Sequence, residues 1–395
     1  MSEQLVFLGA KRTPFGGYGG SLKDLTPTEL GVIASNAALE QSGVEAEKVD
    51  QTIIGNVLSS APDSIYTARH IGLKSGVPKE KPALLINRLC GSGFEVIAQA
   101  QGLMKIQEME VGLIGGVEAM SMAPYCSWDS RWGMKMGHRE LVDSMSQALT
   151  DTYAQAPMAI TAENLAEQYQ ITRELSDEFA LLSQTKTRKA QAAGVFEEEI
   201  VSVEIKDRKG NVTQIRQDEH PRPETTLESL GKLRPVFKKD GVVTAGNASG
   251  IVDGAAMMVV STERFAKENG LKPLGRLIAS AVVGCEPKIM GIGPVPAIQK
   301  LLKKTQMKLS EIDLIEVNEA FAPQTLAVQK ELGLDPEKLN VNGGAIAIGH
   351  PLAASGTRIT MQLLYELKRQ KKRLAIGSAC IGGGQGMAVL VESFS

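Results

Sequence analysis

The chain has 395 residues, a formal net charge of -2, 43% hydrophobic residues and 22% charged residues. That is ordinary globular composition, too long for most single cores, and it predicts two or three domains. The near-neutral balance and the lack of a basic stripe exclude a nucleic-acid or membrane partner chosen by charge, so an anionic ligand must be held locally.

Glycine is frequent at 40 residues and aromatics make up only 4%, which predicts tight turns and close backbone packing. The 4 cysteines, Cys90, Cys126, Cys285 and Cys380, have no short metal-like spacing. They predict neither a metal site nor a disulfide framework, and place the chain in a reducing, cytoplasmic compartment. No apolar run reaches membrane-spanning length. The start, MSEQLVFLGAKRTPFG, lacks a secretory signal, and the closing SFS is not the peroxisomal tripeptide.

In chain order, Leu5 to Ala10 reads as a strand and Lys11 to Gly20 as a Gly/Pro-rich loop. Thr26 to Ser42 reads as an amphipathic helix, with Leu30, Ile33, Ala34, Ala37 and Ala38 on one face. A strand over Asp50 to Leu58 and a helix over Ile65 to Ser75 follow. The apolar run Ala83 to Ile86 ends a buried strand, and Cys90 sits at the turn into a helix that runs to about Ile106. A cysteine there faces free backbone N–H groups, which stabilise a thiolate and lower its pKa. The small Gly91, Ser92 and Gly93 admit a carbonyl close to the sulfur. Two readings stand: a nucleophile, or a buried apolar cysteine. Val111 to Gly115 is the next strand, and the alternation so far predicts α/β layering over a largely buried sheet.

The pattern changes near Ala119. Met120, Met122, Met134, Met136, Met145 and Met158 fall in a region of little periodicity, where they fill an irregular core or line an adaptable groove. Glu163 to Gln168 and Ser176 to Gly194 read as helices, Phe196 to Asp207 and Asn211 to Ile215 as strands or a hairpin, and Pro221, Pro223 and Pro235 mark a loop-rich exit. Residues 120–245 thus look like an insertion. The α/β style resumes with a strand at Met257 to Ser261 and a helix at Thr262 to Asn269. Strand Leu274 to Val282, helix Pro294 to Lys304, strand Leu314 to Asn318, helix Ala322 to Leu332, a Gly/His loop over Asn342 to Gly356 and helix Thr357 to Lys368 follow. Arg373 to Ser378 and Gly386 to Glu392 close the chain as a hairpin.

The halves echo one another. EKVDQTIIGN parallels SEIDLIEVNE, and VGLIGGVEAM parallels LAIGSACIGG, in the same order. A duplicated α/β unit would place Cys90 and His350 at equivalent, facing loops. His350 lies among Gly343, Gly344, Gly349 and Ala353 to Gly356; it reads as a base for Cys90 and an oxyanion donor, or as a helix-start histidine. His70, His138 and His220 lack such a setting and read as structural. Cys380 precedes Gly382 to Gly384, whose N–H groups suit an anion hole; a buried cysteine in a tight hairpin is the alternative. A disulfide between Cys90 and Cys380 would need the same proximity. Asn318 reads as a holder of water or as a helix cap, Asn247 and Ser249 as ligand contacts or a turn, and Lys232, Arg234, Lys238 and Lys239 as phosphate contacts or a solvated face. No GxGxxG or GxxxxGK[ST] loop appears.

NRLCGSG around Cys90, GNASGIVDGAA at 246–256, NEAFA at 318–322, NVNGGAIAIGHPLAASG at 340–356 and CIGGGQG at 380–386 together resemble the thiolase family over essentially the whole chain. The resemblance implies an α/β thiolase fold of duplicated βαβαβαββ-type halves in a five-layered arrangement. It divides the chain into an N-terminal half (1–119 with 246–270), an inserted loop domain (120–245) and a C-terminal half (271–395). It implies Cys90 as nucleophile, His350 as its activator and part of one oxyanion hole with a water placed by Asn318, and Cys380 as acid/base at the α-carbon. The N–H groups of Cys90 and Gly382 would form the second oxyanion hole. Arg222, Ser229, Ala245 and Ser249 match positions around coenzyme A, and Met158 and Phe321 flank the acyl channel. Coenzyme A is then a substrate, with no tightly bound cofactor and no metal. The family implies a homotetramer or dimer, in the cytoplasm or, in a eukaryote, the mitochondrial matrix.

The implied reaction is reversible thiolysis of 3-ketoacyl-CoA to acetyl-CoA and a shortened acyl-CoA. EAMSMAPYCSWDSRWGMKMG and QAPMAITAENLA resemble the mitochondrial-type, short- to medium-chain subfamily. Pro157 and Tyr125 stand where dedicated biosynthetic acetyl-CoA C-acetyltransferases usually carry histidine, which makes that subfamily the alternative. A ketoacyl-synthase-type condensing enzyme is disfavoured by the second cysteine in CIGGG, and a non-enzymatic lipid carrier by retention of all the reactive residues.

Overall fold

Thr26 starts the first helix, α1 (Pro27–Ser42), through a capping box with Glu29, and Pro27 sits where its missing N–H costs nothing. Gly43 ends it at φ 69°, a left-handed conformation that glycine adopts without strain. Such local rules set the elements of the computed structural model, which describes residues 3–207 and 209–394. The strands of the main sheet are β1 (Leu5–Arg12), β2 (Gln51–Gly55), β3 (Ala83–Ile86), β4 (Val111–Glu118), β5 (Val252–Thr262), β6 (Gly275–Gly284), β7 (Leu314–Val317), β8 (Leu374–Ile381) and β9 (Gln385–Ser393). The longer helices after α1 are α2 (Thr67–Lys74), α3 (Ser92–Lys105), α4 (Met158–Tyr169), α5 (Arg173–Ala192), α6 (Pro294–Thr305), α7 (Ala322–Leu332) and α8 (Leu352–Gln370).

The strand order is β7-β8-β9-β6-β1-β5-β4-β2-β3, and the duplication is written in it. Outward from the centre, β1 pairs antiparallel with β5, β5 antiparallel with β4, β4 parallel with β2 and β2 parallel with β3. On the other side β6 pairs antiparallel with β9, β9 antiparallel with β8 and β8 parallel with β7, and a parallel bridge joins Ile315 to Leu339. Within the sheet the halves meet at the pairs Val6–Arg276 and Phe7–Gly275 of β1 and β6.

The core explains the layering. Phe94, Ile97 and Met104 of α3 and Ile359, Leu363 and Leu367 of α8 form one buried cluster with side chains of both half-sheets. Leu30, Ala34 and Ala38 of α1 and Ile71 of α2 cover the outer face of the first half-sheet. Val295, Ile298 and Leu301 of α6 and Val328 of α7 do so for the second. The order is therefore helix, sheet, helix, sheet, helix. Every residue of α8 from Leu352 to Leu367 is buried, so this helix carries no polar face to water. It comes close because its neighbours are small. A side chain at Gly116 would strike the Ala353 carbonyl, and one at Gly93 would lie 2.7 Å from the same oxygen.

That packing corrects the expected end of the Gly/His loop. The helix placed at Thr357 starts at Leu352, and a helical turn occupies Ala345–Ile348 within the expected loop. Glycines that read as loop-formers serve here for close approach between helices. Other corrections have similar causes. The helix expected from Glu163 begins at Met158; of the segment expected from Phe196, Val203–Lys206 forms the hairpin with Val212–Ile215, and Ile200 makes an isolated parallel bridge to Arg12. β5 is longer than read and wholly buried. Of the methionines, Met120 and Met145 are buried, but Met134 and Met136 are exposed.

Arg12 ties the segment 196–218 to β1. Its guanidinium, fully buried, meets Glu199 at 2.7 Å and both oxygens of Asp218 at 2.6 and 2.9 Å. Replacing Arg12 by Met leaves two carboxylates buried without their cation and is expected to destabilise the fold by about 3–5 kcal/mol. Urea denaturation monitored by far-UV circular dichroism should show the lowered midpoint, and an unchanged midpoint would contradict this account of the pairing.

Candidate active site

The segment after β3 carries Cys90. Leu89, just before it, is held at φ 47°, which is costly for a side chain of that kind and marks a sharp turn. A helical turn, Leu89–Gly91, then leads into α3. Ser92 locks the turn: its hydroxyl accepts the Arg88 N–H at 2.9 Å and donates to the Leu89 carbonyl at 2.7 Å. A side chain at Gly91 would collide with Ile381, so the cysteine turn can rest against the end of β8.

Cys90 shares one small cavity, about 70 Å³, with His350, Cys380, Gly382, Ser249, Met158 and Phe321, so residues spread over the whole chain meet there. Leu89, Ala148, Leu149, Met290, Ala320 and Leu352 complete its largely apolar wall. Leu149, Met158, Ser249, Phe321, His350 and Leu352 also border an adjoining apolar cavity of about 470 Å³. All 4 cysteines are free, which removes the disulfide reading of Cys90 and Cys380.

Cys90 remains partly accessible, yet burial around its sulfur pushes the thiol up to about 11. Its own N–H and that of Gly382 point at the sulfur and oppose this; Glu118 adds to it. The expectation of a thiol lowered by the turn's dipoles is therefore corrected: desolvation outweighs the N–H groups. Cys380, 1% exposed, is raised well above its ordinary value, by burial first and by Cys90 and Cys285 next.

His350 is positioned by its backbone and by Ser355. Its N–H donates to the Gly250 carbonyl at 2.9 Å, and its Nδ1 lies 2.6 Å from the Ser355 hydroxyl. With Nδ1–H donating to Ser355, Nε2 is the unprotonated acceptor of the ring. Burial, aided by Arg358, brings the imidazole down to about 3, so it is neutral in the resting enzyme. Arg358 is itself buried against Glu316 and Gln362. If the sequence expectation that His350 is the base for Cys90 holds, the rate of acyl transfer to Cys90 stays flat between about pH 5 and 7, where an ordinary histidine would impose an acid limb at about 6.5. Stopped-flow acylation across that range checks this.

Asn318 Nδ2 lies 3.4 Å from His350 Nε2, and Asn318 Oδ1, buried, has no protein partner among the described residues. It does not cap α7, whose cap is Phe321, so the capping reading is overturned. Asn247 is structural: its side chain bonds Asp177, the Val242 carbonyl and the Thr244 N–H. The strand-like pairing of Ala248 with Phe321, and the Ser249 N–H to the Ala320 carbonyl at 3.0 Å, bring Ser249 into the site.

Arg222, Ser229 and Ala245 line a separate cavity of about 420 Å³. His220, read as structural, lines it too and holds the Ala347 carbonyl at 2.8 Å through Nδ1. Of the basic block, Lys232 pairs with Glu228, and Lys238 with Glu167, which fits the solvated-face reading for these two. Sequence reasoning missed Ser355, Leu149 and Met290. The serine at i+5 from His350 was the available signal; the cavity's apolar walls had none. Among the described residues no cluster of His, Cys, Asp or Glu could hold a metal, and no helix is long and apolar enough to cross a membrane.

Family models for the thiolase N-terminal domain and the thiolase C-terminal domain match residues 5–264 and 271–393. The chain is 56% identical over 390 residues to the mitochondrial 3-ketoacyl-CoA thiolase of Bos taurus, covering 98% of each. It superposes on the crystal structure of human mitochondrial 3-ketoacyl-CoA thiolase in complex with CoA with a TM-score of 0.96 at 53% identity, covering 99% of this chain and 98% of that one. Against the Bacillus anthracis acetyl-CoA acetyltransferase the TM-score is 0.97 at 46% identity, covering 100% and 99%.

Proposed function

The chain belongs to the thiolase family, and from that premise we propose how its own residues carry the reaction. The enzyme is a CoA-dependent thiolytic acyltransferase of the 3-ketoacyl-CoA thiolase/acetyl-CoA acetyltransferase type. The convergence of two thiols, an imidazole and two inward N–H groups on one cavity is the observation that supports the assignment of roles.

Cys90 passes its proton to His350 Nε2 as its sulfur attacks the keto carbon. The C2–C3 bond then breaks with its electron pair left on C2, as the enolate of acetyl-CoA. Cys380 protonates C2. Its raised pKa suits this, because an acid must keep its proton until the carbanion forms. The proton held by His350 replaces the one given by Cys380. Coenzyme A then attacks the Cys90 thioester, its thiol proton returns to Cys90 through His350, and the shortened acyl-CoA leaves. Synthesis is the reverse path. Asn318, through water, and His350 stabilise one developing oxyanion, and the N–H groups of Cys90 and Gly382 the other. The cavity of Arg222, Ser229 and Ala245 receives coenzyme A, and the apolar cavity beside Met158 and Phe321 the acyl chain. Coenzyme A acts as substrate. Residues 120–245 form the inserted unit between the first-half segments 1–119 and 246–270, with 271–395 as the second half, in a protein of the cytoplasm or the mitochondrial matrix.

A series of 3-ketoacyl-CoA substrates of rising chain length, assayed in both directions, tests the reading. Turnover at short to medium length is expected; none at any length would refute it. We assign a homotetramer on two features. The segment 125–141 exposes Tyr125, Trp128, Trp132, Met134, Met136 and Leu141. The strand β3 stands at the edge of the sheet, with a strand neighbour on one side among the described residues. Light scattering should give the mass of four chains, and a monomer would overturn the assignment.

A further inference from the structure

Glu118, the last residue of β4, is wholly buried, and the reaction above does not use it. Its Oε1 accepts the Val57 N–H at 2.6 Å and its Oε2 the Leu58 N–H at 3.2 Å. The Asn56 amide also donates to Oε2, at 3.5 Å, and a backbone bond comes from Ala353, in the first turn of α8. The carboxyl thus joins two segments that flank the nucleophile. Val57 and Leu58 pack with Cys90 in one apolar cluster, and Ala353 follows His350 by one helical start. Asn56 steadies the same corner by donating to the Val117 carbonyl at 2.8 Å.

Among the described residues no cation answers this carboxyl. From β5 it faces Asp253, itself held by the Ser121 N–H and hydroxyl, and from the nucleophile turn it faces Cys90. β2 and the first turn of α8 present only backbone N–H groups and the Asn56 amide. Burial therefore raises Glu118 to about 8, against the N–H groups that favour its anion. Two buried acids within electrostatic reach of one another titrate as a pair, each anion opposing the other.

We propose that Glu118 is a positioning residue of the thiolase site: its carboxyl ties the segment beside Cys90 to the helix start after His350, and once ionised its charge opposes formation of the Cys90 thiolate. Desolvation first keeps the nucleophile a thiol in the resting enzyme, and the Glu118 anion adds to this as the pH rises past about 8. The thiol loses its proton to His350 only as an acyl carbon accepts the sulfur. The inference rests on Cys90 being the nucleophile.

The test uses the intact enzyme without substrate. Iodoacetamide alkylates thiolates, so the pH dependence of labelling at the Cys90 peptide, read by mass spectrometry, gives the thiol's midpoint. Glu118→Gln removes the charge, and the midpoint is expected to fall by about one pH unit. Glu118→Asp keeps the charge but is too short to reach Val57 and Ala353 together. Its midpoint should match wild type, while kcat falls about tenfold or more with KM within about threefold. A purely structural role would lower thermal stability without moving the Gln midpoint. An unchanged midpoint in Glu118→Gln, or wild-type kcat in Glu118→Asp, overturns the proposal. If Glu118→Gln does not fold, the Asp variant decides alone. In wild type, loss of activity on labelling Cys90 tests the nucleophile separately, so either reading can fail without the other.

Discussion

Cys90→Ala is expected to lower kcat for thiolysis by about 10⁴-fold or more, and to remove the covalent acyl-enzyme altogether. The variant deletes the sulfur proposed to hold the acyl group between the two half-reactions. His350, Asn318 and the Gly382 N–H would still bind and polarise the substrate, so KM should change far less than kcat. The fold should tolerate the loss, because alanine keeps the turn and removes one sulfur from a cavity that already has space of about 70 Å³. Mass spectrometry of the enzyme mixed with acetyl-CoA checks the first point: wild type gains an acetyl group and Cys90→Ala does not. Acetylation of the variant at full rate would place the nucleophile elsewhere.

The second large effect separates the two thiols. Cys380→Ala is expected to retain acyl transfer to Cys90 from a simple acyl-CoA. Its carbon–carbon step, and exchange of α-protons of acetyl-CoA with deuterium oxide, should fall about 10²- to 10⁴-fold. The reasoning is electrostatic as well as geometric. Cys380 sits at the end of a wholly buried strand, where desolvation keeps it protonated and hence able to act as an acid. Acyl transfer needs no proton at carbon, so it should survive. Proton exchange measured by NMR in both variants decides the matter: exchange at the wild-type rate in Cys380→Ala would assign the carbon acid–base role to another group. Burial and Glu118, not Cys380, raise the Cys90 thiol, so the Cys90 labelling midpoint should stay put in this variant.

Much of this protein was legible as sequence because its rules are local. Thr26, Pro27 and Gly43 announce a helix and both its ends. The parallel runs EKVDQTIIGN and SEIDLIEVNE foretell a repeated ladder, and the two half-sheets do carry the same order of antiparallel and parallel pairs. Cys90, His350, Cys380 and Gly382 each stand in glycine-rich turns, and such turns are visible residue by residue. What remained hidden depended on what lies across the core. The run Leu352 to Gly356 looks like a loop in isolation and is helix because Gly93 and Gly116 admit it.

The thiol pKa shows the same division. From Leu84 to Ala100 alone, N–H dipoles at a turn predict an easily ionised cysteine. The tertiary structure surrounds that sulfur with apolar walls and places the Glu118 carboxyl within electrostatic reach, and the thiol moves the other way. Sequence by itself determined which residues could react, where the turns fall and that the unit is doubled, because chemistry and backbone preference belong to each residue. Only the tertiary structure decided which of those residues share a cavity and in which protonation state they rest, because distance and dielectric are properties of the packed whole.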